Sequence, residues 1–430
     1  MSATELSIIE KFTLTSANGE NEVDISAGTG GEFLYYEDIF SPVVTAKTFV
    51  MDSGRNNINS KTFNDPLMSG LPVIGGEKAD IKITNQRKQT LNLTTLRVFK
   101  PAQLSQDNNK ELLQFNFISN EFFVDSRERV FRKLPEAVTS ENVRSILDTE
   151  LKTDKEFITS PCSSNFSYQG NSRKPFTVIL KMCPRSIGEE SGKSAGFVFF
   201  ETRRGYNFKS IESLIKQPIL QEDGVNVVYT YGGTAATQYE PKNPYGTQSN
   251  PNKRILRYTQ IQSNDLVRKT QLGAFGAKRY NLDPFAGAME TGQDKIEFDW
   301  ESIEDTEFLG KGIYNPPEDL DLSMTRIYMG MNDMQDLTDR EKVNFAFSEF
   351  SAQAPITYNK IFTQILNITV PQNLNLHAGD CIEVNIAKLG CQYEFDKELS
   401  GKFLIKEVCH QFTNSRSYSH LLIIRDTLGA

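Results

Sequence analysis

At 430 residues the chain has room for roughly two to four domains of ~100–200 residues each, so a core can be buried without metals or disulfides. With 47 basic residues against 55 acidic ones and a net charge of −8, it lacks the excess of Lys and Arg that general affinity for phosphate backbones requires. The longest apolar runs, Phe197 to Phe200 and Leu421 to Ile424, fall far short of the ~20 residues that span a bilayer, which argues against membrane insertion.

Met1 to Phe12 lacks the basic start and long apolar stretch of a secretion signal, so we expect the chain to begin here and to be made in a cytoplasm. Cys162, Cys183, Cys381, Cys391 and Cys409 are odd in number and widely spaced, without a C-x-x-C pair. Reduced thiols are the expectation.

The first hundred residues read as strands. Asp80-Ile81-Lys82-Ile83 and Leu91-Asn92-Leu93 alternate, while Gly28 to Gly31, Asn56 to Ser60 and Gly75–Gly76 punctuate. A second unit opens with a strand whose Leu113, Phe115 and Phe117 share a face, then turns helical. Val143, Ile146, Leu147 and Leu151 follow possible caps at Thr139 and Ser140. Pro175 suits a first helical position ahead of Phe176, Ile179 and Cys183, and Pro184 stops that helix. A strand over residues 196–202, a turn at Arg204–Gly205 and a short helix with Ile211, Leu214 and Ile215 complete the unit.

Strand pattern resumes at Val225, Val227 and Tyr229, and residues 232–252 read as an exposed polar loop. The stretch from Ser263 to Met334 suggests a helix from Leu266 to Tyr280 and acidic, Pro-containing connections such as Asn315-Pro316-Pro317. Thr338-Asp339-Arg340-Glu341 fits a capping box, with Val343, Phe347 and Phe350 at helical spacing up to Pro355. Strands then run to the end: Phe362, Leu366, Ile368 and Val370 on one face, Ile382, Val384 and Ile386 on another, and a hairpin of residues 403–412 and 418–424.

The pattern therefore predicts a β-dominated α+β chain of two antiparallel β-barrels with two mixed α+β insertions. The expected boundaries are 1–105 for the first barrel and 106–216 for the first insertion. Residues 217–260 and 356–430 form the second barrel, and 261–355 the second insertion. Element order alone carries the duplication; no repeat in the residues accompanies it.

Motifs that could carry chemistry fail on spacing or context. Gly188-Glu189-Glu190-Ser191-Gly192-Lys193-Ser194 invites a phosphate-loop reading, but Ile187 stands where the first glycine is needed, and a helix precedes while a strand follows. Cys409 and His410 adjoin on a strand, so they point to opposite faces and cannot share a proton. His410 or His420 with Cys381 or Cys391 lacks ligand-like spacing. His377, His410 and His420 are the only histidines open to a Ser–His–Asp arrangement, and no G-x-S-x-G accompanies them. Glu318–Asp319 and Glu301 with Glu304 could serve a glycosidase, but among 55 acids chance proximity suffices. The 29 Phe and 15 Tyr recur at strand or helix spacing, as core residues do. We therefore expect no catalytic, cofactor-binding or metal residues.

Two blocks carry a family resemblance. The first is Asn171-Ser172-Arg173-Lys174-Pro175-Phe176, Cys183-Pro184, residues 195–202 (Ala-Gly-Phe-Val-Phe-Phe-Glu-Thr) and residues 205–211 (Gly-Tyr-Asn-Phe-Lys-Ser-Ile). The second is residues 376–380 (Leu-His-Ala-Gly-Asp), residues 399–405 (Leu-Ser-Gly-Lys-Phe-Leu-Ile), His410, and Leu421 to Arg425–Asp426. Together they resemble the baseplate hub proteins of T-even-type contractile-tailed phages.

That resemblance implies a structural, non-enzymatic virion protein. It implies a homotrimer with two tube-like barrels per subunit, held between a central spike and the tail tube, with other baseplate proteins against the insertions. DNA would pass transiently through the lumen, which the acidic balance would keep from sticking. With the chain ending at Ala430 after the last strand, the spike is expected on a separate chain. The competing expectations are a tail-associated cell-wall hydrolase and the hub of a related contractile secretion system.

Overall fold

The computed structural model describes the chain apart from residues 1–6, 27–31, 55, 59–60, 64–65, 108, 190–194, 233–250, 264, 283–294, 300–308, 310–325, 332, 335–342, 346–352, 390, 414–415 and 428–430. Twelve strands form two barrels. In the first they are β1 (Ser7–Thr15), β2 (Glu32–Asp38), β3 (Thr45–Asp52), β4 (Lys78–Asn85), β5 (Thr90–Asp107) and β6 (Lys110–Ser119). In the second they are β7 (Val228–Tyr231), β8 (Arg257–Ser263), β9 (Gln364–Pro371), β10 (Cys381–Lys388), β11 (Gly401–Thr413) and β12 (Ser417–Arg425).

Neighbours in the first run β1-β4-β5-β6-β3-β2, and in the second β7-β10-β11-β12-β9-β8. Counted from the start of each half, these are the same order. The fold class is β-dominated α+β, and the strand-rich module occurs twice. One pairing breaks the likeness: β1 runs antiparallel to β4, whereas β7 runs parallel to β10.

Period-two alternation aims one side of each strand inward. Phe33, Tyr35 and Glu37 on β2, Ile81 and Ile83 on β4, and Leu113, Phe115 and Phe117 on β6 are all buried. The first barrel's core closes where the Phe12 ring of β1 meets Phe33 of β2 edge-on, with centroids 5.8 Å apart. Each such phenylalanine contributes about 1.5–3 kcal/mol on burial. The second barrel closes through its backbone, since the Ile255 N–H beside β8 donates to the Thr230 carbonyl on β7 at 2.9 Å.

The first insertion stacks helices Asn120–Arg127, Thr139–Ile146 and Pro175–Met182 against the hairpin Phe197–Thr202 and Gly205–Ser210. Helix Ile211–Lys216 follows, N-capped by Ser210, whose side chain accepts from the Ser213 N–H. Phe200, Leu214 and Ile215 pack with Cys381, Leu404 and Ile424, so this unit covers one outer face of the second barrel.

Several expectations are corrected. The strand bearing Leu113, Phe115 and Phe117, expected in the insertion, pairs with β3 and β5 and belongs to the first barrel's sheet. Thr139 and Ser140 cap nothing: both lie inside the helix, and the Thr139 hydroxyl donates to the Ser164 carbonyl at 3.1 Å. The helix begun at Leu266 stops at Leu272, because Gly273 turns left-handed at φ 73°, and Gly276–Leu282 is a strand. Val343–Phe345, expected within a helix, pairs as a strand with Asp333–Met334. The helix lies later, at Gln353–Lys360, where Pro355 falls in its first turn and costs no hydrogen bond. The expected loop over 232–252 falls largely outside the described residues.

Candidate assembly interface

Strands β2 and β11 join the two barrels into one sheet. They pair antiparallel from Glu407↔Asp38 to Thr413↔Glu32. Inward along the joint, Phe33 and Phe412 lie 5.8 Å apart, and Tyr35 and His410 stack at 6.3 Å with planes 5° apart. On the other side, Lys406 Nζ sits 2.8 Å from Asp38 Oδ2 and 3.8 Å from Glu407 Oε2, beside a groove of about 330 Å³. The lysine ties up both acids there. A glycosidase instead needs two carboxylates facing each other across open space.

Glu37 is the buried charge of the joint. Its carboxylate accepts from the Tyr35 hydroxyl at 3.0 Å, the Arg203 N–H at 2.9 Å and the Ala378 N–H at 3.1 Å, and both oxygens lie 3.2 Å from His377 Nδ1. Burial acts to raise its pKa, but attraction and hydrogen bonding from His377, the Arg203 N–H and nearby His410 outweigh that and hold it at about 2. Burial pushes His410 down to about 4. Its Nδ1 lies 2.9 Å from Ser419 Oγ and its Nε2 3.3 Å from the Leu376 carbonyl.

Arg203, at the tip of the insertion's hairpin, also donates to the Thr90 carbonyl at 2.7 Å and the Leu374 carbonyl at 2.9 Å. One hairpin tip thus staples β2, the start of β5 and the segment before β10.

A turn repeats in both barrels. Before β10, the Gly379 N–H donates to the Ile405 carbonyl at 2.8 Å, the Ile405 N–H donates to Asp380 at 2.9 Å, and the Asp380 carboxylate accepts from the His377 N–H at 3.1 Å. Before β4, the Gly76 N–H donates to the Val98 carbonyl at 2.7 Å and the Val98 N–H to Glu77 at 2.9 Å. There the Glu77 carboxylate accepts from the Ile74 N–H at 2.8 Å. Both glycines have positive φ, 98° and 88°. The bulge that follows also repeats: the ladder slips between Val98 and Lys100 on β5, and between Ile405 and Glu407 on β11.

Two further polar seams hold the insertions. Buried Glu201 accepts from the Val44 N–H at 3.0 Å and from Ser119 Oγ, and pairs with Lys155 at 2.6 Å. Lys155 also reaches Glu121 at 2.7 Å. Burial raises the Glu201 carboxyl despite that lysine. At the other seam Asp426 accepts from the Leu309 N–H at 3.0 and 3.2 Å, and burial raises its pKa to about 6 against the pull of Lys360. Burial in turn lowers Lys360 to about 8 and Lys269 to about 7. Arg425 is fully buried; it donates to the Ser400 carbonyl at 2.7 Å and lies 4.4 Å from the Phe403 ring centroid.

The other singled-out residues scatter. His410 faces the core while Cys409, on the opposite face, lies beside Tyr36 and is pushed up to about 12 by burial. His420 contacts Thr369 Oγ1 at 3.0 Å and Gln411 Oε1 at 2.7 Å, and the Cys381 thiol donates to the Leu214 carbonyl at 3.3 Å. Among the described residues, no three His, Cys, Asp or Glu side chains gather to hold a metal. Ile187 and Gly188 form isolated bridges to Ala195 and Cys162, with a helix before them and β structure after. Glu190 to Ser194, Glu301, Glu304, Glu318 and Asp319 lie outside the described residues. No helix among the described residues is long and apolar enough to cross a membrane. What sequence reasoning missed was Glu37, Arg203 and the match between the Gly76–Glu77 and Gly379–Asp380 turns.

No protein-family model and no curated protein matches the chain. Among solved structures it is similar to the tail protein from Neisseria meningitidis MC58, with TM-score 0.56 and 9% identity over 98% of this chain and 97% of that one. It is also similar to the 43 kDa tail protein of prophage MuSo2 from Shewanella oneidensis, with TM-score 0.53 and 10% identity over 97% and 98% of the two chains. At these identities the likeness is one of fold, and it spans nearly the whole length of each chain.

Proposed function

We propose that the chain is a structural hub of a contractile phage tail's baseplate. In this reading three copies set six like barrels around one axis, so that a threefold protein meets a trimeric spike on one side and a sixfold tail tube on the other. The observation that carries it is the recurrence of one strand order and one glycine–acid turn in both halves of a single chain. The shared fold with proteins described as tail proteins supports it.

The division of labour follows the four expected units, with the first barrel extended to take in β6. Barrels form the wall, and insertions face outward toward other baseplate proteins. The spike, the tube and the passing DNA are the partners, the virion is the site, and no catalysis is required. The acidic balance suits a lumen that DNA slides through without adhering.

Sedimentation of the protein alone and with the trimeric spike protein tests the reading. Three copies per particle in either condition is the expected result. Monomer in both would overturn it. The hub of a contractile secretion system would use the same geometry, and the neighbouring genes separate the two.

A further inference from the structure

The duplication assigns equivalent positions residue by residue. Matching the repeated turn and bulge sets Val98 against Ile405, Phe99 against Lys406 and Lys100 against Glu407. Matching the shared strand order sets β5 against β11 and β8 against β2.

Strand β11 changes partner at its bulge. Residues 401–404 pair with β10, and residues 407–413 pair with β2. Strand β5 begins the same way, with residues 90–97 on β4. Past the bulge, residues 100–106 keep β6 on one edge, but among the described residues no strand pairs the other. Strand β8, the counterpart of β2, pairs among the described residues with β9 alone and ends their sheet. Each barrel is thus built to make the same joint, yet among the described residues one β5-type edge and one β8-type edge have no partner strand.

We infer that the unused edges meet between copies: β8 of one molecule adds antiparallel to residues 100–106 of β5 in the next, reproducing the β2–β11 joint. This rests on the ring reading above and supplies its contact. Exposed apolar side chains lie along these edges and would be covered on pairing: Phe99 is 45% exposed, Leu104 50% and Ile261 57%. The equivalence also sets the register. Leu34 faces Gln411 across the internal joint, so Thr259 faces Leu104–Ser105 across the external one. The antiparallel sense then brings Arg257 to Gln106–Asp107 and the Ser263 end to Lys100. A head-to-tail contact of this kind, alternating with its internal twin, closes into a ring rather than a face-to-face pair.

Cysteine pairing tests it on the full chain. L104C or S105C combined with T259C is expected to give, on oxidation, a covalent ladder that stops at three copies. Mixing separately made L104C and T259C proteins should give covalent dimers only. An E32C/T413C variant, across the internal joint, controls for the chemistry without linking copies. If sedimentation finds trimers and the control pair closes, yet no pairing of positions 102–106 with 258–261 cross-links, the joint is overturned while the hub reading stands. Monomer under every condition, spike included, overturns both.

Discussion

Gly76 and Gly379 hold the same post in two barrels: each donates its N–H to the carbonyl just before a bulge, at 2.7 and 2.8 Å, from a left-handed backbone. Their surroundings differ. A methyl on Gly379 would come 2.9 Å from Cζ and 3.3 Å from Cε2 of Phe200, while on Gly76 the nearest atom is Ala17 Cβ at 4.0 Å.

Gly76→Ala should therefore cost about 1–2 kcal/mol from backbone conformation alone. Gly379→Ala should cost more, because the ring of Phe200 must also move. Thermal midpoints of the two variants check this, and equal losses would refute the packing argument.

Stability should depend on pH through His410. Its folded pKa of about 4 lies below the ordinary 6.5, so between those values the unfolded chain binds a proton that the folded one refuses. The stabilisation is whole above about 6.5 and is lost as pH falls toward 4, about 3 kcal/mol in all. Asp426, raised to about 6 from 3.8, acts in the opposite sense over nearly the same range. The quantity to read is therefore the difference between wild type and His410→Gln in thermal scans across that range; a flat difference would dismiss the assignment.

Glu37 sits at about 2 against an ordinary 4.5, so its contribution is present above about 4.5 and disappears as pH drops toward 2. Glu37→Ala removes the acceptor of two backbone N–H groups and the partner of His377 together. A loss of about 3–5 kcal/mol is expected, with Glu37→Gln milder. Protease resistance at the segment around residues 374–380 reports it locally.

Glu201→Ala strips Val44, Ser119 and Lys155 of a shared acceptor and should destabilise by a similar ~3–5 kcal/mol. Glu121→Ala, which leaves Lys155 its bond to Glu201, should cost less. Comparing unfolding midpoints of the two variants and the double variant decides; strict additivity would mean the triad does not act as a unit.

The barrels were legible where alternation was clean, as at Ile81 and Ile83 or Ile382, Val384 and Ile386, while the equally clean Leu113, Phe115 and Phe117 showed a strand but not which unit it joins. Helix ends were less so. Thr338 to Glu341 satisfies a local capping pattern, yet Val343–Phe345 pairs as a strand, because tertiary pairing overrides a few tenths of local preference. Gly273 was a stop signal inside an apparently periodic run.

The duplication left a faint trace. Gly76-Glu77-Lys78-Ala79-Asp80-Ile81-Lys82-Ile83 aligns with Gly379-Asp380-Cys381-Ile382-Glu383-Val384-Asn385-Ile386, sharing a glycine, two acids and two inward aliphatics. Only two of the eight positions, the glycine and the last isoleucine, are identical, so a search for like residues passes over it. Glu37 was not legible because a carboxylate in an alternating strand reads as an outward position, and its partners other than Tyr35 lie 166 to 341 residues away.

The ladder between β2 and β11 has an arithmetic outcome. Because two barrels leave the ribosome already spliced together, any closed particle contains an even number of them. In the ring proposed above, a five- or seven-membered miscount by this chain is ruled out before a second molecule arrives.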